Sequence, residues 1–292
     1  MTFSRTPPSG FMSVVVLAAF TLGALSRPPD YTVLSRRISS SKSGEASVRC
    51  LLLDNMLPRQ RVQLQFGPPV STALSEGRQA GEAFVVVGLD RRKGTICRRG
   101  VEVRIESMSP YRASHGFFSS HSTTPMRGFT VLDTVLVGGR CCEILEPDIS
   151  SSTWRPSKPI FEARVRWLPD GPSTSAANAL AESVAPMVSE WVDLVRSTNR
   201  EREPLQITRV LSDLGPMPDA EQAGDRALWV AALINPMPAL GVALEVRAAV
   251  LDAADSLARM QVVHEALADS ISRLKSMPPG PFEVEPPPGV RR

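Results

Sequence analysis

No Gly-Lys dipeptide occurs anywhere in the 292 residues. A phosphate-cradling loop of the form G-x-x-x-x-G-K-[ST] is therefore excluded, and a nucleotide-driven motor with it. Histidine is nearly missing, with only His115, His121 and His264. The four cysteines, Cys50, Cys97, Cys141 and Cys142, lie at no zinc-ligand spacing and do not cluster with those histidines. Neither a metal nor a cofactor is expected. Cys141 and Cys142 are neighbours on an expected strand and point to opposite faces, so a disulfide between them is not expected and buried free thiols are. The longest apolar run, FMSVVVLAAFTLGAL from Phe11 to Leu25, is too short to cross a bilayer.

An excess of one charge is lacking too. The net charge is +3, and its distribution decides what that means. Met1 to Arg49 holds six basic and two acidic residues, and Cys50 to Asp170 sixteen and twelve; Gly171 to Ser276 holds nine and fourteen, and the tail from Met277 two of each. Without the first segment the remainder carries −1. The basic balance belongs to the leader, and it is a poor argument for nucleic-acid binding by the folded part.

The leader has its own pattern. Residues 1–19 read as a signal-like segment, Arg5 preceding an apolar run of secretory length. Residues 20–47 are rich in Ser and Arg with few acids, the composition of a transit peptide or a disordered spacer. The order resembles the bipartite presequences of algae with complex plastids, cleaved before a phenylalanine, and Leu17 to Phe20 (LAAF) offers such a junction. A plastid destination is expected, with a secreted or endomembrane protein as the alternative.

What is present is a globular composition, 42% apolar, in two patterns. From about residue 48 the period is two. In QRVQLQF, Val62, Leu64 and Phe66 alternate with Arg61, Gln63 and Gln65; AFVVVG, VEVRIE and FEARVRW continue the series. FTVLDTVLV and RCCEILE read as two strands joined by Gly138-Gly139 in a tight hairpin turn. After Gly171-Pro172 the period changes. Val184, Met187, Val188, Trp191 and Val195 share one helical face, bent near Pro186. Trp229 and Leu233 mark a second helix. It stops at Asn235-Pro236-Met237-Pro238, because proline in a helix interior costs about 3 kcal/mol. A third helix is expected from about Leu240 to Lys275. The expected fold is α+β, with a β-rich half at 48–170, a linker at 171–177, a helical bundle at 178–276 and a Pro-rich disordered tail at 277–292.

Few residues offer chemistry. Ser173, in Asp170-Gly171-Pro172-Ser173, can act as a nucleophile only beside a general base; a Ser-Lys mechanism needs a lysine within reach, and the only one downstream is Lys275 at a helix end. No catalytic residue is expected. RRKGTICRRG, Arg91 to Gly100, gathers five positive charges around two turns. It is a solvated loop or a phosphate-binding patch, with Arg98 and Arg99 as the residues to test. No aromatic interleaves these charges to stack bases. His264 reads as a packed boundary histidine, and Trp191 and Trp229 as core anchors. Trp167, ending the last strand, is a binding candidate at the junction of the halves. Asp252 and Asp255 read as a solvated face.

The order DNMLPRQRVQLQF, RRGVEVRIES, VLVGGRCCEILE, FEARVRWL, then ALWVAALINPMPAL and EVRAAVLDAADSLARM resembles the N-terminal substrate-binding domain of the Lon protease family. Leu57-Pro58, Gly139-Arg140, Trp229 to Leu233 and Leu251 to Arg259 occupy the places of that family's patterns, over about Val48 to Leu274. The stretch from Ser107 to Gly128 is longer than the pattern needs, and the sequence after Phe66 lacks its aromatic helix. The resemblance implies a PUA-like pseudo-barrel followed by a helical bundle, without the ATPase and protease domains. It further implies non-enzymatic recognition of unfolded or exposed polypeptide, at an apolar cleft between the halves or an exposed strand edge, with a separate protease or ATPase as a further expected partner. RNA binding through Arg91 to Arg99 is the alternative that a PUA-like barrel would carry.

Overall fold

The computed structural model describes residues 44–90, 95–111, 131–147, 159–169, 171–278 and 280. The signal-like segment, nearly all of the transit-like one, Arg91 to Lys93, His115, His121 and almost all of the Pro-rich tail lie outside them. Six strands build the first half: β1 (Glu45–Leu52), β2 (Arg61–Phe66), β3 (Phe84–Asp90), β4 (Thr95–Pro110), β5 (Leu132–Glu146) and β6 (Ile160–Trp167). Helix α1 (Val70–Ala80) lies between β2 and β3. The second half holds α2 (Ser175–Ser197), α3 (Gln206–Leu214), a 3-10 turn at Ala220–Gln222, α4 (Ala223–Ile234), α5 (Arg247–Asp252) and α6 (Ser256–Ser276). Residues 45–47, read as leader, thus open the sheet, and 175–177, read as linker, open α2.

The strands run β2-β5-β4-β3-β1-β6, and β6 also pairs with β5, closing a ring of five strands with β2 added outside it. Long β5 makes this possible: its first part pairs with β2, Arg61 opposite Val137 through Phe66 opposite Leu132, and its last part with β6. Inside the ring sit Val48, Cys50, Val85, Val87, Cys142, Ile144, Ala163 and Val165. A second apolar layer under α1 takes Leu51, Val62, Phe66, Leu74, Phe84, Val86 and Leu136. The run Phe84 to Val87 is buried on both faces, so it needs no alternation.

Gly138 and Gly139 make no turn. Both lie inside continuous β5, neither at positive φ. Glycine is needed for another reason: a Cβ on Gly138 would stand 2.2 Å from the Leu57 carbonyl oxygen. That carbonyl belongs to the loop before β2, which crosses the strand there. Helix α1 was missed because VSTALSEGRQA carries little apolar periodicity; Leu74 anchors it, and Gly77 makes room for the Phe84 ring, which a Cβ would meet at 2.4 Å.

In the helical half, α2 runs through Pro186 without a break, its Thr174 hydroxyl accepting the Ala177 amide at 3.2 Å. Helix α4 is buried at every residue from Arg226 to Ile234. It ends where the prolines require. The Asn235 side chain then fixes the exit, donating to the Leu244 carbonyl at 2.9 Å and accepting the Val246 amide at 3.1 Å. The expected third helix is two, α5 and α6, separated at Ala253, with the Asp255 carboxylate accepting the Ala258 amide at 2.8 Å. Asp255 is therefore an N-cap, which a solvated-face reading does not convey. Trp191 is fully buried, its indole donating to Ser270 at 2.8 Å, and Ser270 in turn to the Val242 carbonyl at 2.9 Å. Both polar ends are satisfied in the core, as burial demands.

Candidate functional site

The two halves share one apolar core. Leu57, Val101 and Cys141 from the β half pack into the cluster formed by Trp191, Ile207, Trp229, Leu233 and their neighbours. Among the described residues, three side chains sew the joint with bonds that are wholly or partly buried. Gln60 donates to the carbonyls of Ala232 and Asn235, at 3.3 and 3.0 Å. Arg99 donates to those of Leu251 and Ala253, both at 2.6 Å. Arg247 donates to the Asn55 carbonyl at 2.8 Å while its other nitrogens hold Glu245. Gln60 and Arg247 were not legible as functional positions. Their partners are backbone carbonyls more than 170 residues away in sequence.

Arg98 and Arg99 are strand residues rather than loop residues, and period two separates them. Arg98 faces solvent with its guanidinium 3.7 Å from the Glu143 carboxylate; Arg99 turns inward to cap α5. The two do not form one basic surface. Trp167 is half-buried and packs against the cluster inside the ring, with the Arg140 guanidinium 4.1 Å from its ring centroid. Arg140 is held in turn by Glu102 at 2.8 Å. A shallow cavity of about 420 Å³ opens there, lined by Ala46, Ala83, Arg140 and Trp167 among others. It lies against the barrel, while the next residue, Leu168, packs on the helical core.

An open cleft does lie between the halves, about 240 Å³, and Arg99, Ser173, Glu221, Asp225, Asp255 and Arg259 are among its lining residues. It is charged, so the expectation of an apolar cleft is not met there: the apolar surface of the joint is already consumed by Leu57, Val101 and Cys141. Ser173 pairs its hydroxyl with Asn178, and the Lys275 ammonium is engaged by Glu190. His264 is half-buried on α6, as a boundary residue should be.

Two thiols and one carboxyl are perturbed by burial. Cys50 is pushed up to about 12 by desolvation, and Cys142, also inside the ring, is raised well above the ordinary thiol value by desolvation first and by Cys50 second. Asp213 near the end of α3 is raised by burial, with Arg61 opposing and Glu106 adding to the effect. No helix among the described residues is long and apolar enough to cross a membrane.

No family model and no curated protein matches the sequence. Among solved structures the chain is similar to a Lon N-terminal domain protein from Xanthomonas campestris, at 17% identity and a TM-score of 0.42, covering 74% of this chain and 95% of that one. It is also similar to the N-terminal domain of Mycobacterium avium complex Lon protease, at 14% identity and a TM-score of 0.43, covering 77% and 99%.

Proposed function

We propose that the protein is a non-enzymatic polypeptide-binding module that takes up unfolded or exposed segments of other chains. The observation that carries this reading is where the sequence patterns meet. Leu57-Pro58 crosses β5 at Gly138, next to Gly139-Arg140, and Leu57 enters the core that holds Trp229 to Leu233. Leu251, opening the fourth pattern, offers its carbonyl to Arg99. Patterns scattered over two hundred residues thus serve one joint, as they would if the resemblance were to a common architecture. A role in protein quality control, as a holder of clients or an adaptor to a separate protease or ATPase, belongs to the same proposal, as does delivery to a plastid. The RNA reading is not favoured, because Arg99 is spent on the α5 carbonyls and Arg98 stands beside Glu143. Titrating the protein against a reduced, carboxymethylated model protein and against its native form tests the reading. Binding of the unfolded form alone is expected; indifference to both would end it.

A further inference from the structure

We infer that the free edge of β2 is where an extended client segment adds to the sheet as a further strand; this rests on the polypeptide-binding reading above. β2 stands at the end of the strand order, paired along its length with β5 on one side and, among the described residues, with no strand on the other. The direction of its backbone groups follows from one bond. The Gly138 amide donates to the Gln60 carbonyl at 2.9 Å, so Gln60 faces β5. Alternation then turns Val62, Leu64 and Phe66 toward β5, and Arg61, Gln63 and Gln65 outward, each with an N–H and a C=O to offer. Edges not meant for pairing are usually blunted by lysine, proline or a bulge. β2, RVQLQF, has no lysine and no proline and keeps unbroken register, and the guanidinium of Arg61 is drawn off to Glu106 at 2.7 Å.

The two faces of the edge select the occupant. On one, half-buried Leu64 and Met237 extend the apolar layer under α1. On the other stand Gln63 and Gln65 and the Arg61–Glu106 pair. A strand laid beside β2 continues the pleat, so its side chains must be apolar toward Leu64 and polar toward Gln63. The ligand class is an extended segment of alternating apolar and uncharged polar residues, such as an unfolded protein exposes from its own half-buried strands. Main-chain bonds supply affinity in such strand addition, and alternate side chains supply selection.

A ten-residue peptide alternating valine and threonine is the probe, used beside the carboxymethylated protein. Gln63→Pro removes the outward N–H at the middle of β2 and leaves the β2–β5 bonds intact, because Gln63 does not donate to β5. At least a tenfold loss of peptide affinity is expected, with the circular dichroism spectrum unchanged. Two N-methylated peptides make the test independent of that variant: with methyls on the threonine amides or on the valine amides, one peptide should bind wild type like the parent and the other should lose binding. Equal behaviour of the two methylated peptides, or an unaltered affinity of Gln63→Pro, overturns the edge. Binding of the unfolded protein without the peptide also overturns it and leaves the broader reading standing. No binding of either probe removes both. Self-association that vanishes in Gln63→Pro, with no peptide binding, would assign the edge to a second copy of this chain instead.

Discussion

Replacing Arg99 by methionine should loosen the joint between the halves, whereas the same change at its neighbour Arg98 should not. Methionine keeps most of the apolar stem, so what is lost at Arg99 is the guanidinium and its two bonds to Leu251 and Ala253, each 2.6 Å. A hydrogen bond from a charged donor contributes about 1.5–3 kcal/mol. The two share one nitrogen, and Arg99 is only half-buried, so water partly replaces them. A loss of about 2 kcal/mol overall follows, near thirtyfold in the folding equilibrium. Arg98 is exposed and its ion pair is 3.7 Å long; such pairs contribute about 0–1 kcal/mol. Urea titration followed by tryptophan emission reads the difference, because Trp191 and Trp229 lie in the shared core. With a slope of about 2–3 kcal/mol per molar, the Arg99→Met midpoint should fall by roughly 0.7–1 M, and Arg98→Met should stay near wild type. Coincident midpoints for the two variants would refute the account of the joint.

Two further outcomes follow from burial. Iodoacetamide at pH 8 should leave Cys50 and Cys142 unmodified in the native protein and alkylate both in denaturant, because the thiolate is the nucleophile and desolvation holds both as thiols; peptide mapping checks it, and native labelling of Cys142 would contradict its place inside the ring. Asp213 binds its proton more tightly folded than unfolded, so its contribution favours the fold at low pH and is lost as pH climbs from 3.8 through the raised value. Asp213→Asn should therefore gain stability relative to wild type across that window and then level off. Parallel urea midpoints from pH 4 to pH 7 would show the carboxyl to be unperturbed.

What the sequence determined by itself was local. Alternation in QRVQLQF and FEARVRW assigned faces, because the strand period is two wherever one face is wet and the other dry. The prolines at 236 and 238 ended α4, because a missing donor and a ring clash do not depend on what surrounds the helix. Tertiary structure decided whatever depended on a partner distant along the chain. Gly138-Gly139 carries the same letters whether it turns a hairpin or lets a loop cross, and only the Leu57 carbonyl, 2.2 Å from where a Cβ would be, distinguishes them. Arg98 and Arg99 look like one basic patch until the pleat sends the second to α5. Gln60 and Arg247 have no signature at all, since their partners are carbonyls, which every residue has. The edge of β2, which no strand among the described residues covers, is of this kind also: a strand is legible from its own residues, but whether a neighbour covers it is settled by where the other strands go.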